Sequence, residues 1–236
     1  MSLVVIHPTP DAAWADMRLE GVLRYALEGR EVRVIRQAEE LDGLSGEKLL
    51  FAVPLGDAGI NLEYTRMLLR LRTRPHLLSG CTAALMVDGA GELYTKSVGG
   101  ELALALSRSG CALLGRPLVE GTGSLYNQHI LAGQLGLPWE ETYFTRARDL
   151  AGRLARFQAP RFSRPRVLML HASDNRRSNT VAMGKAVCNH LAPVCDIQTI
   201  SLQNGAIYDC RGCSYTACLH YSRNGTCYYG GALPTE

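Results

Sequence analysis

At 236 residues with 47% apolar side chains, the chain is long enough for one large or two ordinary globular domains. No apolar run approaches the ~20 residues that a membrane helix needs. The opening M-S-L-V-V-I-H-P-T-P has no basic stretch ahead of a long apolar core, so no secretory signal is expected and the cytoplasm is the default location. The net charge is +3: residues 161–236 carry eight Arg/Lys against four Asp/Glu and residues 1–160 seventeen against eighteen, an excess too weak for a nucleic-acid face.

Leu3 to Ile6 is an apolar run followed by a proline-rich turn. An amphipathic helix is predicted from about Ala12 to Leu27, with Met17, Val22, Leu23 and Ala26 on one face. Gly29 sits where a helix-ending glycine belongs, and Val32 to Ile35 reads as a second strand. Lys48 to Leu55 is a third, entering a loop with Gly56 and Gly59 and then a helix through Leu62, Met67, Leu68 and Leu71. Thr82 to Val87 is a fourth strand with Ser97 to Ser107 as its helix, Ala112 to Val119 a fifth weakened by Pro117, and Trp139 to Phe157 a closing helix. Strands apolar on both faces that alternate with helices predict an α/β fold with a doubly wound parallel sheet, and five such units match a flavodoxin-like layout.

This first unit reads as a scaffold or dimerisation domain over residues 1–157. Its first loop, His7-Pro8-Thr9-Pro10-Asp11, spends two positions on prolines without an N–H and adds an acid, so an anion would be held poorly there. Its third-strand loop, Pro54 to Asn61, has no aromatic residue until Tyr64. Thr122, Gly123, Ser124 and Tyr126 are candidates to line a crevice at the sheet's carboxyl edge, although turn chemistry accounts for them equally.

Gln158 to Pro165 holds two prolines and no apolar period, so it reads as a linker, with a second unit from Arg166 to Glu236. The stretch R-V-L-M-L-H-A-S-D-N-R-R-S-N-T, Arg166 to Thr180, is an apolar run too short for a helix, then a polar basic loop, then a helix start. Val167 to Leu170 suits a strand buried on both faces, and the helix continues through Val181, Met183 and Val187 to Leu191. A helix N-terminus leaves N–H groups without partners and carries partial positive charge, which suits a phosphate. Ser173, Ser178, Asn179 and Thr180 add neutral donors there, and Arg176 and Arg177 add cations. The alternative is that Ser178 or Asn179 simply caps the helix while the arginines are solvated. Without a Walker lysine or G-x-G-x-x-G, the loop is neither a nucleoside-triphosphate nor a dinucleotide motif.

After a further strand at Asp196 to Leu202, Cys210, Cys213, Cys218 and Cys227 follow in a Gly- and Tyr-rich loop, spaced C-x2-C-x4-C-x8-C. Four thiolates that close can wrap one metal centre, an iron-sulfur cubane or a tetrahedral zinc, or remain as redox-active or structural thiols. Cys81, Cys111, Cys188 and Cys195 are scattered and suit ordinary burial. His220 is a possible substitute ligand, more simply read as solvated.

The strand with Ser173 and its basic loop, the Ser178-Asn179-Thr180 triplet and the later D-C-R-G-C of Asp209 to Cys213 together resemble the flavodoxin-like NADPH-dependent FMN reductase family, in particular its iron-sulfur flavoprotein branch. The resemblance spans Arg166 to about Gly230. It implies FMN as cofactor, with phosphate contacts from Ser173, Arg176, Ser178, Asn179 and Thr180, and it favours a 4Fe-4S cluster on Cys210, Cys213, Cys218 and Cys227, with zinc as the alternative. It implies an oxidoreductase that takes electrons from NAD(P)H or a reduced carrier and passes them to a small acceptor. A homo-oligomer is expected, and neither nucleic acid nor a membrane is a partner. Two departures stand out: Asp174 lies beside the proposed phosphate, and the middle cysteines are spaced more widely than the branch usually spaces them. The family pattern has three further strands, so either this is a fragment of a longer protein or the contacts to the flavin ring come from the first unit or another chain. A noncatalytic metal-binding carrier or assembly module, and an inactive truncated flavoprotein, are the other readings.

Overall fold

The computed structural model describes residues 3–10, 16–56, 58–160, 162–173, 177–203 and 210–230. The chain divides into two compact units, Met1–Ala159 and Pro160–Glu236. In the first, strands Leu3–Ile6 (β1), Val32–Ile35 (β2), Lys48–Leu55 (β3), Thr82–Gly89 (β4) and Ala112–Gly121 (β5) alternate with helices Met17–Ala26 (α1), Leu62–Thr73 (α2), Thr95–Arg108 (α3), His129–Leu135 (α4) and Trp139–Arg156 (α5). The sheet is parallel throughout in the order β2-β1-β3-β4-β5. That order is the flavodoxin-like variant of the doubly wound α/β fold, as the alternation of apolar runs predicts.

β3 and β4 are buried at every position because helices cover both faces. One face packs Leu3, Val5, Leu50, Ala52, Ala84 and Met86 against α1 and α5. The other packs Val4, Ile6, Phe51, Val53, Leu85 and Val87 with residues of α2 and α3. Each fully buried Leu, Val or Phe in these layers contributes roughly 1.5–3 kcal/mol relative to exposure. Asn61 fixes the start of α2 by accepting from Tyr64 N at 2.7 Å while its amide donates to Pro54 O at 3.0 Å, which ties the helix to the end of β3. Pro117 is absorbed by an irregularity: Ala83 pairs with Leu113 but Leu85 with Leu118, so the ladder skips the segment that contains the proline.

Two expectations need correction in this unit. β2 lies at the sheet edge with Val32 and Val34 exposed, so it is not buried on both faces. Met17 is 70% exposed, and the buried face of α1 is Leu19, Val22, Leu23 and Ala26. The predicted first turns of that helix, from Ala12, fall on residues outside the described set.

In the second unit, Arg166–His171 (β6) pairs in parallel with Asp196–Ser201 (β7), and Asn179–Leu191 (α6) makes the crossover between them. Gly184 lets α6 lie close to the sheet, since a Cβ there would meet Met169 Cε at 2.3 Å. β6 is not buried on both faces as its run of apolar residues predicts: Leu168 and Leu170 are 52% and 55% exposed, while Val167 and Met169 are partly covered. A two-stranded sheet with one crossover helix covers one face only. The cysteine segment also differs from a plain loop, for it contains a short helix, Tyr215–Ser222 (α7), capped by Ser214, whose Oγ accepts from Ala217 N at 3.3 Å.

Candidate functional site

The β6–α6 junction puts the carboxyl end of a strand beside the start of a 13-residue helix. Ser178 is the N-cap, and its Oγ accepts from Val181 N at 3.3 Å. The N–H groups of Asn179 and Thr180 precede the first intrahelical acceptor and stand at an exposed end, and no acid lies in the first turn. The helix dipole is therefore uncompensated by any side chain of that turn. Ser173, Arg177, Ser178, Asn179 and Thr180 all fall in or beside this junction, whereas Arg176 and Asp174 lie outside the described residues. The capping role of Ser178 and a phosphate role are compatible, because a hydroxyl that accepts from Val181 N keeps its own proton to donate. One residue that sequence reasoning passed over adds to the junction: His171 ends β6, and its Nδ1 is buried without a hydrogen-bond partner among the described residues. Its position as the last strand residue before the polar loop was the available signal.

Cys210, Cys218 and Cys227 are exposed and Cys213 is half-buried; all four are free thiols. Burial pushes the Cys213 thiol above its ordinary range, and the neighbouring Cys218 and Cys227 thiols add to the effect. The four sulfurs are not gathered into a closed tetrad: among the described residues, the group of three or more metal-ligating side chains that converges within 4.8 Å is His7, Asp16 and Glu20. A tetrahedral zinc site with bonds of ~2.3 Å needs sulfurs about 3.8 Å apart, so zinc would have to draw these thiols together.

The carboxyl edge of the first unit's sheet is built differently. Arg18, on α1, reaches Asp88 at the end of β4 with Nε at 3.0 and 3.2 Å and Nη2 at 2.9 Å from its oxygens, and also donates to Gly123 O at 2.8 Å, Gly89 O at 3.0 Å and Gly121 O at 3.4 Å. Burial raises the Asp88 carboxyl above its usual range, and Arg18 partly offsets that. Thr122, Gly123 and Ser124 turn to internal partners: Thr122 Oγ1 donates to Asn127, and Ser124 N donates to Glu92 at 2.6 Å, which holds the Glu92 carboxyl below its usual range. Tyr64, the nearest aromatic in sequence to the third-strand loop, is 5% exposed and belongs to the core. The aromatic residue over that loop is instead Tyr94, whose ring covers Gly59. Tyr94 and Leu125 both adopt positive φ, 76° and 59°, in the loops after β4 and β5. At the head of α1, Asp16 turns from capping duty toward His7, with Nε2 2.9 and 3.0 Å from its two oxygens, while His7 Nδ1 donates to Ala52 O at 2.8 Å. An acid occupies the first unit's helix start, where the second unit has none.

The strand order, with two polar loop edges at the carboxyl ends of the strands, defines a flavodoxin-like α/β protein whose first unit has its crevice filled by its own side chains. No protein-family model and no curated protein matches the sequence. Solved structures to which the chain is similar include a short-chain flavodoxin associated with a bacterial microcompartment, at 12% identity and TM-score 0.44 over 66% of this chain and 97% of that one. A flavodoxin of Streptococcus pneumonia is 13% identical with TM-score 0.45, and Flavodoxin 2 from Bacillus cereus 15% identical with TM-score 0.43, each over 66% of this chain and 98% of its own length. Among the described residues, no helix is long and apolar enough to cross a membrane.

Proposed function

We propose that this chain is an FMN-dependent redox protein of the NADPH-dependent FMN reductase type, with the flavin phosphate held at the start of α6. The observation that carries the reading is the exposed, acid-free N-terminus of α6 behind β6, with Ser178, Asn179 and Thr180 presenting donors at the carboxyl end of a parallel strand. The unpartnered Nδ1 of His171 at the same strand end is a further polar group that a ligand would satisfy. FMN, when bound, supplies the redox chemistry itself. The chain's own contribution is to hold the phosphate dianion: the helix start and the Ser178 and Thr180 hydroxyls donate to it, and Arg176 and Arg177 balance its charge against Asp174. NAD(P)H or a reduced carrier would deliver the electrons and a small acceptor would take them.

Arg176→Ala combined with Arg177→Ala tests the phosphate site by flavin fluorescence titration against FMN and riboflavin in parallel. Charged hydrogen bonds are worth roughly 1.5–3 kcal/mol each, so FMN should weaken by more than about tenfold while riboflavin, which lacks the phosphate, stays near its starting affinity. An equal, small effect on both ligands, or no FMN binding by the parent chain, overturns the reading.

A second reading is favoured by the thiols. Cys213 has Cys218 and Cys227 as neighbours that act on its thiol, which supports a metal-holding carrier or assembly role without flavin. Anaerobic purification separates the cases: iron and sulfide with a brown colour mean a cluster, zinc without colour means a structural site, and a yellow chromophore means flavin.

A further inference from the structure

We propose that His7, Asp16 and Glu20 of the first unit form a binding site for a hard divalent cation, of which Mn²⁺ is the best match. The first argument is one of proton counting. Ala52 O can only accept, so His7 Nδ1 carries a proton and donates it at 2.8 Å. In the neutral ring, Nε2 then presents a lone pair, and it faces both oxygens of the Asp16 carboxylate at 2.9 and 3.0 Å. Acceptors that close require a cation between or beside them, either a proton or a metal ion. A backbone carbonyl on the far nitrogen is also the usual outer partner of a metal-ligating histidine, since it fixes the tautomer that offers Nε2.

The second argument is the carboxylate itself. Asp16 is the N-cap of α1 but makes no side-chain cap hydrogen bond; it is 5% exposed, and among the described residues its Oδ1 has no hydrogen-bond donor although it lies 2.9 Å from Nε2. Burying an acceptor in that state is costly unless something cationic satisfies it. Glu20 lies one helical turn further on the same face of α1, and its carboxylate completes a set whose ligand atoms all lie within 4.8 Å of one another. Two carboxylates bring two negative charges. A single proton on His7 offsets one of them, and Arg36, 3.9 Å from Glu20 and half exposed, offsets the other only weakly. A divalent ion offsets both.

Geometry and access agree with the charge. In an octahedral shell with bonds of ~2.1 Å, neighbouring ligand atoms stand about 3.0 Å apart, which is the His7–Asp16 separation, and the two carboxylates of the set are the ligand type that suits Mn²⁺. His7 and Glu20 line a cavity of about 460 Å³ with Val5, Leu23, Val34 and two arginines, Arg24 and Arg36. The cavity supplies an entry path and leaves coordination positions open to water or a small ligand.

The test is titration of Mn²⁺ into the full chain, followed by loss of the free-ion electron paramagnetic resonance signal. A parallel chain with Cys210, Cys213, Cys218 and Cys227 changed to Ser isolates this site from the thiols. One ion per chain is expected, unchanged by the four serines, weakened at least about tenfold by Glu20→Gln and lost in His7→Gln. Glu20 is exposed, so Glu20→Gln decides the matter even if His7→Gln fails to fold. Absence of saturable binding up to about 1 mM Mn²⁺, or binding that survives Glu20→Gln undiminished, overturns the proposal and leaves His7 and Asp16 as a plain hydrogen-bonded pair.

Discussion

Replacing Arg18 with alanine should destabilise the first unit by about 3 kcal/mol, and by more at neutral pH than in acid. Arg18 supplies the charged hydrogen bonds to the Asp88 carboxylate, which is 3% exposed and also has the buried Tyr143 hydroxyl beside it. Removing one partner of a buried pair costs roughly 3–5 kcal/mol; the lower end applies because the Arg18 side chain is itself 25% exposed, so water can follow into the gap. Three carbonyl oxygens, those of Gly89, Gly121 and Gly123, lose a donor as well. The pH dependence follows from burial, which raises the folded-state pKa of Asp88 above its unfolded value. The folded state then binds more protons than the unfolded state between those two values, so this group's contribution favours folding at low pH and is lost as pH rises through the window. Without the guanidinium the folded pKa rises further and the window widens upward. Both tryptophans, Trp14 and Trp139, fall in the first unit, so urea titration followed by tryptophan fluorescence reads that unit alone. Asp88→Asn in the Arg18→Ala background should recover part of the loss at pH 7 and less at pH 4. A pH-independent loss, or one below about 1 kcal/mol, would refute the account of a buried carboxylate whose charge Arg18 balances.

Gly59→Ala should cost about 2–3 kcal/mol, since φ is +72° and the new Cβ would stand 2.4–2.6 Å from Tyr94 atoms; Tyr94→Ala in the same chain should return the steric part in a urea titration. Iodoacetamide at pH 8 should label the exposed Cys210, Cys218 and Cys227 first and Cys213 more slowly, because a raised pKa leaves less thiolate. Cys81 and Cys111, both buried, with burial pushing the latter up to about 12, should react only on unfolding, and mass spectrometry of timed aliquots reads the order. Residues 1–159 expressed alone should melt cooperatively by circular dichroism, because both faces of their sheet are covered from within that unit; a broad, non-cooperative melt would contradict this.

The sheet was legible where burial is decided locally. Lys48–Leu55 and Thr82–Gly89 are apolar along their length because two helical layers cover them, and that composition is visible without any knowledge of neighbours. Val32–Ile35 and Arg166–His171 have similar runs but lie where cover is missing, and a strand's place in the sheet is set by contacts far away in sequence. The filled crevice was hidden for the same reason. Arg18 and Asp88 are 70 residues apart, and each taken alone is an ordinary surface charge on a helix or strand end. Helix Tyr215–Ser222 was missed because its glycine- and tyrosine-rich surroundings signal turns more strongly than its Ser214 cap signals a helix. The His7–Asp16 pair was missed because the prolines of that loop argued only against an anion, which is a statement about donors and says nothing of acceptors.

That asymmetry orders the chemistry of the two units. Both begin with a parallel strand, a polar loop and a helix, an arrangement whose backbone always offers donors and partial positive charge at the helix start. What the start binds is then settled by side chains. α1 places Asp16 at its N-cap and Glu20 in its first turn, beside His7, so acceptors outnumber donors and the local demand is for a cation. α6 places Ser178 at its N-cap with no acid in the first turn, so donors outnumber acceptors and the demand is for an anion. A phosphate at α1 would meet two carboxylates at close range, a repulsion of roughly 4 kcal/mol per charge at 4 Å for an effective dielectric constant near 20. Mn²⁺ and FMN should therefore bind the chain at sites that mutate independently: Glu20→Gln should leave FMN affinity unchanged, and Arg177→Ala should leave Mn²⁺ affinity unchanged. Loss of both ligands from either single substitution, with the fold intact by circular dichroism, would mean that one site had been mistaken for two.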